Sequence, residues 1–200
     1  LAPESLKNTL FPLGGYTKEE VRRFVSAAGL SVSSGKESQD VCFVPDGDYR
    51  SFLASVPGCG CLPGEFVDTG GKVLGRHKGV SFYTVGQRQG LGISSGRPLY
   101  VKEVDARRNR VVLGGRQEVL AAAFIVYNPS FPGGPLKKKV VLNVKIRYNH
   151  TEQPAEITPS GNTLKIVFRF PQFAVTPGQS AVIYRGDVVV GGGIIRKVLD

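Results

Sequence analysis

Lys139-Val140-Val141-Leu142-Asn143-Val144-Lys145-Ile146-Arg147-Tyr148 decides the architecture. Successive side chains of an extended chain point to opposite faces. The run therefore places Leu142, Val144, Ile146 and Tyr148 on one face and Asn143, Lys145 and Arg147 on the other. At helical spacing both sets would scatter. Leu164, Ile166, Phe168 and Phe170 repeat the alternation, with Lys165 and Arg169 opposite them. Further strands are expected over 181–185, 187–190 and 194–198. Short strands at regular spacing, with turn residues between them, predict a small barrel with an apolar inside and a basic outside.

Working back from the barrel, residues 57–118 are rich in glycine and proline and carry no helical period. Glu65-Phe66-Val67-Asp68, Gly70-Gly71 and Lys72-Val73-Leu74 read as a hairpin. A second strand pair is expected at 99–104 and 110–113, joined by 105–109. Between the pairs runs Tyr83-Thr84-Val85-Gly86-Gln87-Arg88-Gln89-Gly90-Leu91-Gly92-Ile93. Residues 1–56 read as helical. Thr17-Lys18-Glu19-Glu20 is a capping box, with Tyr16 and Val21 placed for a hydrophobic staple and Gly29 placed to end the helix. A second short helix begins near Asp48 and stops at Pro57-Gly58. Between these helices, residues 41–44 form an extended run ended by Pro45, the expected edge of a larger α/β unit. The chain opens on Leu1-Ala2-Pro3-Glu4 and contains no methionine, so a piece of a longer protein is expected, with that unit upstream. The predicted fold class is mainly β with a helical N-terminal segment, in three parts: 1–56, 57–118 and 119–200.

Two hundred residues can bury a sizeable core. Lys+Arg number 26 against 16 Asp+Glu, a net charge of +10, which points to a polyanionic partner. No apolar run is long enough to span a bilayer and no signal-peptide pattern is present, so nucleic acid is favoured over a membrane. Three cysteines are an odd, low number that argues against a secreted disulfide framework and for a reducing, cytoplasmic setting.

The candidate chemistry starts at Ser38-Gln39-Asp40-Val41-Cys42-Phe43, where Cys42 follows Lys36. A cysteine acts as its thiolate, which basic neighbours favour, whereas a buried free cysteine is a small apolar residue. Residues alone leave both readings open. Cys59-Gly60-Cys61 lacks the four ligands of a structural zinc site, with only His77 and His150 to add, and lacks the spacing of a thioredoxin-like pair. It reads as a metal-free surface loop. His77 has no identifiable carboxylate partner and is expected to be structural. Gln87 and Arg88 combine an amide and a guanidinium with flexible backbone suited to phosphate. Arg147-Tyr148 and Thr176-Pro177-Gly178-Gln179 join cationic or polar heads to stacking and turn chemistry. Lys137-Lys138-Lys139 adds to the basic footprint.

Taken together, the segments resemble the C-terminal part of the tRNA-specific 2-thiouridylase family. The likeness is carried by Phe11-Pro12-Leu13-Gly14, Thr17-Lys18 through Arg22, Ser38 to Val44, Gly47 to Leu53, Gly75 to Gly79, Tyr83 to Ile93, Arg147-Tyr148, Thr176 to Gln179 and Gly191 to Ile195, in the family's order. It implies an ATP-pyrophosphatase-type catalytic domain, of which 1–56 is the end, a central domain and a C-terminal β-barrel. It implies that ATP, bound upstream, activates C2 of the wobble uridine (U34) of tRNA. Cys42 then donates a persulfide sulfur supplied by a sulfur-relay protein, and a second, upstream cysteine resolves the intermediate. The base must leave its stack to be reached. Arg147, Tyr148 and Gln179 match tRNA-contacting positions; an RNA role for Gln87 and Arg88 is a separate inference. Tyr127-Asn128 stands where the family pattern has tryptophan, and Cys59 and Cys61 lie outside the matched motifs. The alone-standing chain is expected to bind no ATP and to be inactive. The competing expectations are a non-catalytic RNA- or translation-associated β-barrel protein and a thiol redox protein working through Cys59 and Cys61.

Overall fold

The structure is a computed structural model that describes residues 3–30, 44 and 48–199. The chain divides into two compact units, Leu1–Tyr49 and Arg50–Asp200.

In the first unit, α1 (Pro3–Lys7) precedes α2 (Lys18–Ala27). The predicted capping box is present: the Thr17 hydroxyl accepts from the Glu20 amide, and the Glu20 carboxylate accepts from the Thr17 amide at 2.7 Å. These bonds hold the exposed Glu20 carboxyl below its ordinary pKa. Tyr16 stacks edge-on against Phe24, at 5.2 Å between ring centres, one turn beyond the staple partner expected at Val21. Gly29, at φ 64°, ends the helix in the left-handed region that its missing Cβ permits.

The second unit opens within α3 (Tyr49–Ser55) and then builds a sheet and a barrel. Strands β1 (Gly64–Asp68), β2 (Val73–His77), β3 (Tyr100–Asp105) and β4 (Arg110–Gly114) form a four-stranded sheet in the order β2-β1-β4-β3. Both expected hairpins are there. In the first, the Asp68 carboxylate accepts from the amides of Gly70 and Lys72. In the second, Asp105 accepts from Arg107 and Arg108, and Asn109 takes φ 51°. The pairing of β1 with β4 is parallel, so everything from β2 through β3 lies within one crossover. Phe66, Val101, Val111 and Leu113 fill the core of this sheet.

The six remaining strands close a barrel in the order β10-β5-β8-β7-β6-β9. They are β5 (Leu120–Ser130), β6 (Val140–Lys145), β7 (Gln153–Ser160), β8 (Thr163–Phe173), β9 (Ser180–Arg185) and β10 (Val188–Leu199). Its interior holds Phe124, Val126, Val144, Ile146, Ile157, Leu164, Ile166, Phe168, Ile183 and Ile195. Each of these larger side chains adds about 1.5–3 kcal/mol of burial free energy.

Four details depart from the sequence pattern for physical reasons. Tyr148 is not inward: β6 ends at Lys145, the chain turns, and the Tyr148 ring is 91% exposed. Phe170 is exposed because the β8 register against β5 shifts between Val167 and Gln172. The two strands expected over 187–198 are one long strand, β10, with three register shifts. Strands β5 and β7 were not anticipated. The first starts with Leu120-Ala121-Ala122-Ala123, whose residues favour helices. The second contains Pro154 and Pro159, each placed where β7 pairs on one side alone.

Candidate RNA interface

The candidate interface forms where the four-stranded sheet meets the barrel. Phe173, at the end of β8, stacks edge-on with Tyr100 of β3 at 5.5 Å and lies under the Arg116 guanidinium. The Ala174 amide donates to the Val119 carbonyl at 3.0 Å. Beside this seam the Gly-rich run descends from the sheet. The Gly86 amide donates to the Val101 carbonyl, and the Val101 amide donates back to Gln87.

Arg147 ties three segments that are far apart in sequence. Its Nη2 donates to the Val85 carbonyl at 2.8 Å and to the Thr176 hydroxyl at 2.7 Å. Thr176 donates onward to the Ala174 carbonyl at 2.8 Å. The guanidinium is half-buried, its Nε finds no partner, and burial lowers its pKa from the ordinary arginine value. Sequence reasoning placed Arg147 at the interface; the structure shows its Nη2 occupied internally.

The turn 176–179 is locked to β10. Gly178, at φ 89°, donates to the Ile195 carbonyl at 2.8 Å, and the Ile195 amide donates to Gln179 at the same distance. Gln179 is half-buried at this turn. The Gln87 side chain accepts from the Thr84 amide and donates to the Gln89 carbonyl, so it braces its own loop. Arg88 follows it, exposed. Tyr148 stands in solvent with the Lys145 ammonium 5.8 Å from its ring centre. A hollow of about 550 Å³ opens beside it, bordered by Lys145, Asn149, His150, Tyr184 and Asp187. An exposed aromatic next to lysine suits a base that has left its stack.

Gly86 sets how closely the loop approaches the barrel. It has φ 88°, and a Cβ there would lie 2.5 Å from the Ala174 Cβ and 3.1 Å from the Phe173 ring. Gly86→Ala is expected to destabilise the second unit by about 1–3 kcal/mol through overpacking and left-handed strain. It is also expected to weaken RNA binding; thermal melts and RNA titrations measure the two effects.

Elsewhere His77 is structural. It is 3% exposed at the end of β2, packs edge-on against Phe66 and Tyr83, and accepts from the Gly79 amide at Nδ1. Burial lowers its pKa and so favours the neutral ring. Cys59 and Cys61 are joined in a disulfide, which the reading as a plain surface loop did not include and the competing thiol-redox reading did. Among the described residues no cluster of three His, Cys, Asp or Glu side chains is placed to hold a metal. Cys42, the proposed sulfur carrier, lies outside the described residues.

Comparison with known proteins covers nearly the whole chain. Residues 1–46 match the tRNA methyl transferase HUP domain, 50–115 the tRNA methyl transferase PRC-barrel domain and 121–195 the aminomethyltransferase beta-barrel domain. The tRNA-specific 2-thiouridylase MnmA 1 of Caldanaerobacter subterraneus subsp. tengcongensis is 48% identical over 98% of this chain and 55% of its own length. The tRNA-specific 2-thiouridylase MnmA of Acetivibrio thermocellus is 47% identical over 96% of this chain and 54% of its own. That of Geobacter metallireducens is 46% identical over 100% and 54%. The chain thus spans about 55% of the length of the curated relatives it matches. With a helical N-terminal unit, a strand-rich centre and a closed barrel matched in one continuous order, the chain belongs to the tRNA-specific 2-thiouridylase family.

Proposed function

We propose that this protein serves in the ATP-dependent transfer of a persulfide sulfur from Cys42 to C2 of the wobble uridine of tRNA. In this reading the second unit holds the RNA, and 1–56, 57–118 and 119–200 act as catalytic end, central module and barrel. The observation that carries it is the convergence on Arg147: three family-matched segments meet through one guanidinium. Exposed Arg88 and Tyr148 provide the phosphate-seeking and base-stacking groups, with Gln179 on the adjoining turn, in a chain of net charge +10. Cys42 takes its sulfur from a sulfur-relay protein, and the reaction runs in the cytoplasm.

ATP supplies the activation of the uridine oxygen. The described residues do not fit it: at the start of α2 the Thr17 and Glu20 amides are bonded to the Glu20 carboxylate and the Thr17 hydroxyl rather than left for an anion. No step is assigned to them.

The test is nucleoside analysis of unmodified tRNA incubated with the full-length enzyme, ATP and a persulfide donor. Expected is 2-thiouridine at the wobble position. Methylated or unchanged uridine overturns the reading, and unchanged uridine with intact RNA binding favours a non-catalytic RNA-binding barrel. For the interface, RNA affinity is expected to fall steeply with salt, and Arg88→Ala to reduce the log–log slope by about 1 through one lost phosphate contact. An unchanged slope removes Arg88 from the interface.

A further inference from the structure

The loop between α3 and β1 contains a second pair of sulfurs with no part in the scheme above. Cys59 and Cys61 are bonded across the single residue Gly60, with their Cα atoms 5.4 Å apart, and both are only partly buried. A bridge this short removes little freedom from the unfolded chain, because cross-link stabilisation grows with the loop it closes. The backbone is instead held by other bonds. The Cys59 amide donates to the Val56 carbonyl, and the Ser81 hydroxyl donates to the Cys59 carbonyl. The Asn109 side chain donates to the carbonyls of Leu62 and Pro63 at 3.3 and 3.0 Å.

Gly60, at φ 71°, lies so close to the chain at 80–81 that a Cβ would sit 2.9 Å from the Ser81 Oγ and 3.0 Å from Val80. On the other side Gly79 packs directly on the Cys61 backbone. The backbone that carries the two sulfurs is thus held by contacts other than the bond between them. Accessible disulfides that contribute little to the fold are the ones that exchange.

We propose that Cys59 and Cys61 are a redox-active dithiol–disulfide site whose substrates are thiolates and disulfides. Resting on the sulfur-transfer reading, its role is to reduce the disulfide that each transfer leaves behind. In the exchange, one thiolate of the pair attacks a substrate disulfide, giving a mixed disulfide and releasing one substrate thiolate. The second thiolate then attacks the pair's own sulfur in that bond, closing Cys59–Cys61 and releasing the other substrate thiolate. Two electrons pass from the pair to the substrate, and solvent supplies protons to the released thiolates. A small-molecule thiol such as glutathione reverses the sequence: two thiolates reduce the pair and leave as their own disulfide.

The test uses the full-length enzyme equilibrated with glutathione at graded ratios of reduced to oxidised form. Differential alkylation and peptide mass analysis then read Cys59 and Cys61. Expected is a two-electron titration of the pair within that series, with little change in melting temperature between its two ends. A pair that stays oxidised throughout, stays reduced throughout, or unfolds the second unit when reduced overturns the proposal. The double variant Cys59→Ser, Cys61→Ser supplies a functional arm. With monothiol as sole reductant, its later turnovers are expected to slow several-fold relative to its first, and added dithiol to restore them. An unchanged ratio overturns the regenerating role. Absence of 2-thiouridine even in the first turnover of the wild-type enzyme instead overturns the sulfur-transfer reading, while the alkylation titration still decides the pair.

Discussion

Replacing Cys42 by serine in the full-length enzyme is expected to abolish 2-thiouridine formation and leave tRNA affinity unchanged. A persulfide forms when a thiolate attacks a sulfane sulfur, and the bond that later breaks joins two sulfur atoms. A serine hydroxyl offers neither the anion at neutral pH nor a sulfur to hold the second one. The loss should therefore be complete. Binding is a separate matter, because the proposed RNA contacts belong to Arg88, Tyr148 and their neighbours in the second unit. Nucleoside analysis and RNA titration of the same preparation measure the two properties. Wild-type levels of 2-thiouridine in the variant would sink the assignment of Cys42. A parallel loss of tRNA affinity would turn Cys42 into a structural residue.

The second large effect is expected at Arg147. Truncation to alanine leaves the Val85 carbonyl and the Thr176 hydroxyl without their charged donor. Hydrogen bonds to charged groups contribute about 1.5–3 kcal/mol, so a loss of about 3 kcal/mol is expected. At about 2–4 °C of melting temperature per kcal/mol, that is a fall of roughly 6–12 °C. RNA affinity should drop as well, since the Gly-rich loop and the 176–179 turn would part. Arg147→Lys separates the possible roles. A phosphate contact survives exchange of one cation for another, whereas a single Nη2 that reaches both acceptors from the end of the longer arginine side chain is not matched by the shorter, flexible lysine. Expected is that lysine restores little of the melting temperature. Full recovery of RNA binding by lysine, with no change in melting temperature for either variant, would make Arg147 a plain phosphate contact.

Much of the fold could be read from local pattern. Alternation in 140–146 and 164–168 found two barrel strands, Gly70-Gly71 found a hairpin, and Thr17 with Glu20 found the helix start. Each is a signal carried within a few residues. What escaped depends on partners distant in sequence. Strand β5 is extended because β8 and β10 pair with it on both sides, overriding the helical tendency of its three alanines. Tyr148 left the barrel interior because the strand ended before it, which alternation alone cannot announce. The site divides in the same way. Arg147, Tyr148, Gln179, Gln87 and Arg88 were all picked from short motifs and the family likeness. The internal duties of Arg147 and Gln87 emerge with the three-dimensional arrangement. The Cys59–Cys61 bond was weighed against metal and thioredoxin-like spacings, neither of which describes a pair separated by one glycine.

The parallel register of β1 beside β4 has a consequence for the order in which this unit forms. Glu65 and Arg110 are 45 positions apart, yet they pair at 3.0 Å across those two strands. A ladder between distant segments must first overcome the entropy of closing the intervening loop, and such contacts are late and slow. The Gly-rich run lies inside that loop and is anchored at Val101 and Arg147, both later in the chain. As the polypeptide leaves the ribosome, residues 83–93 therefore wait, without their final contacts, until the first barrel strands have been made. The Gly-rich loop is among the last parts of the unit to acquire its shape.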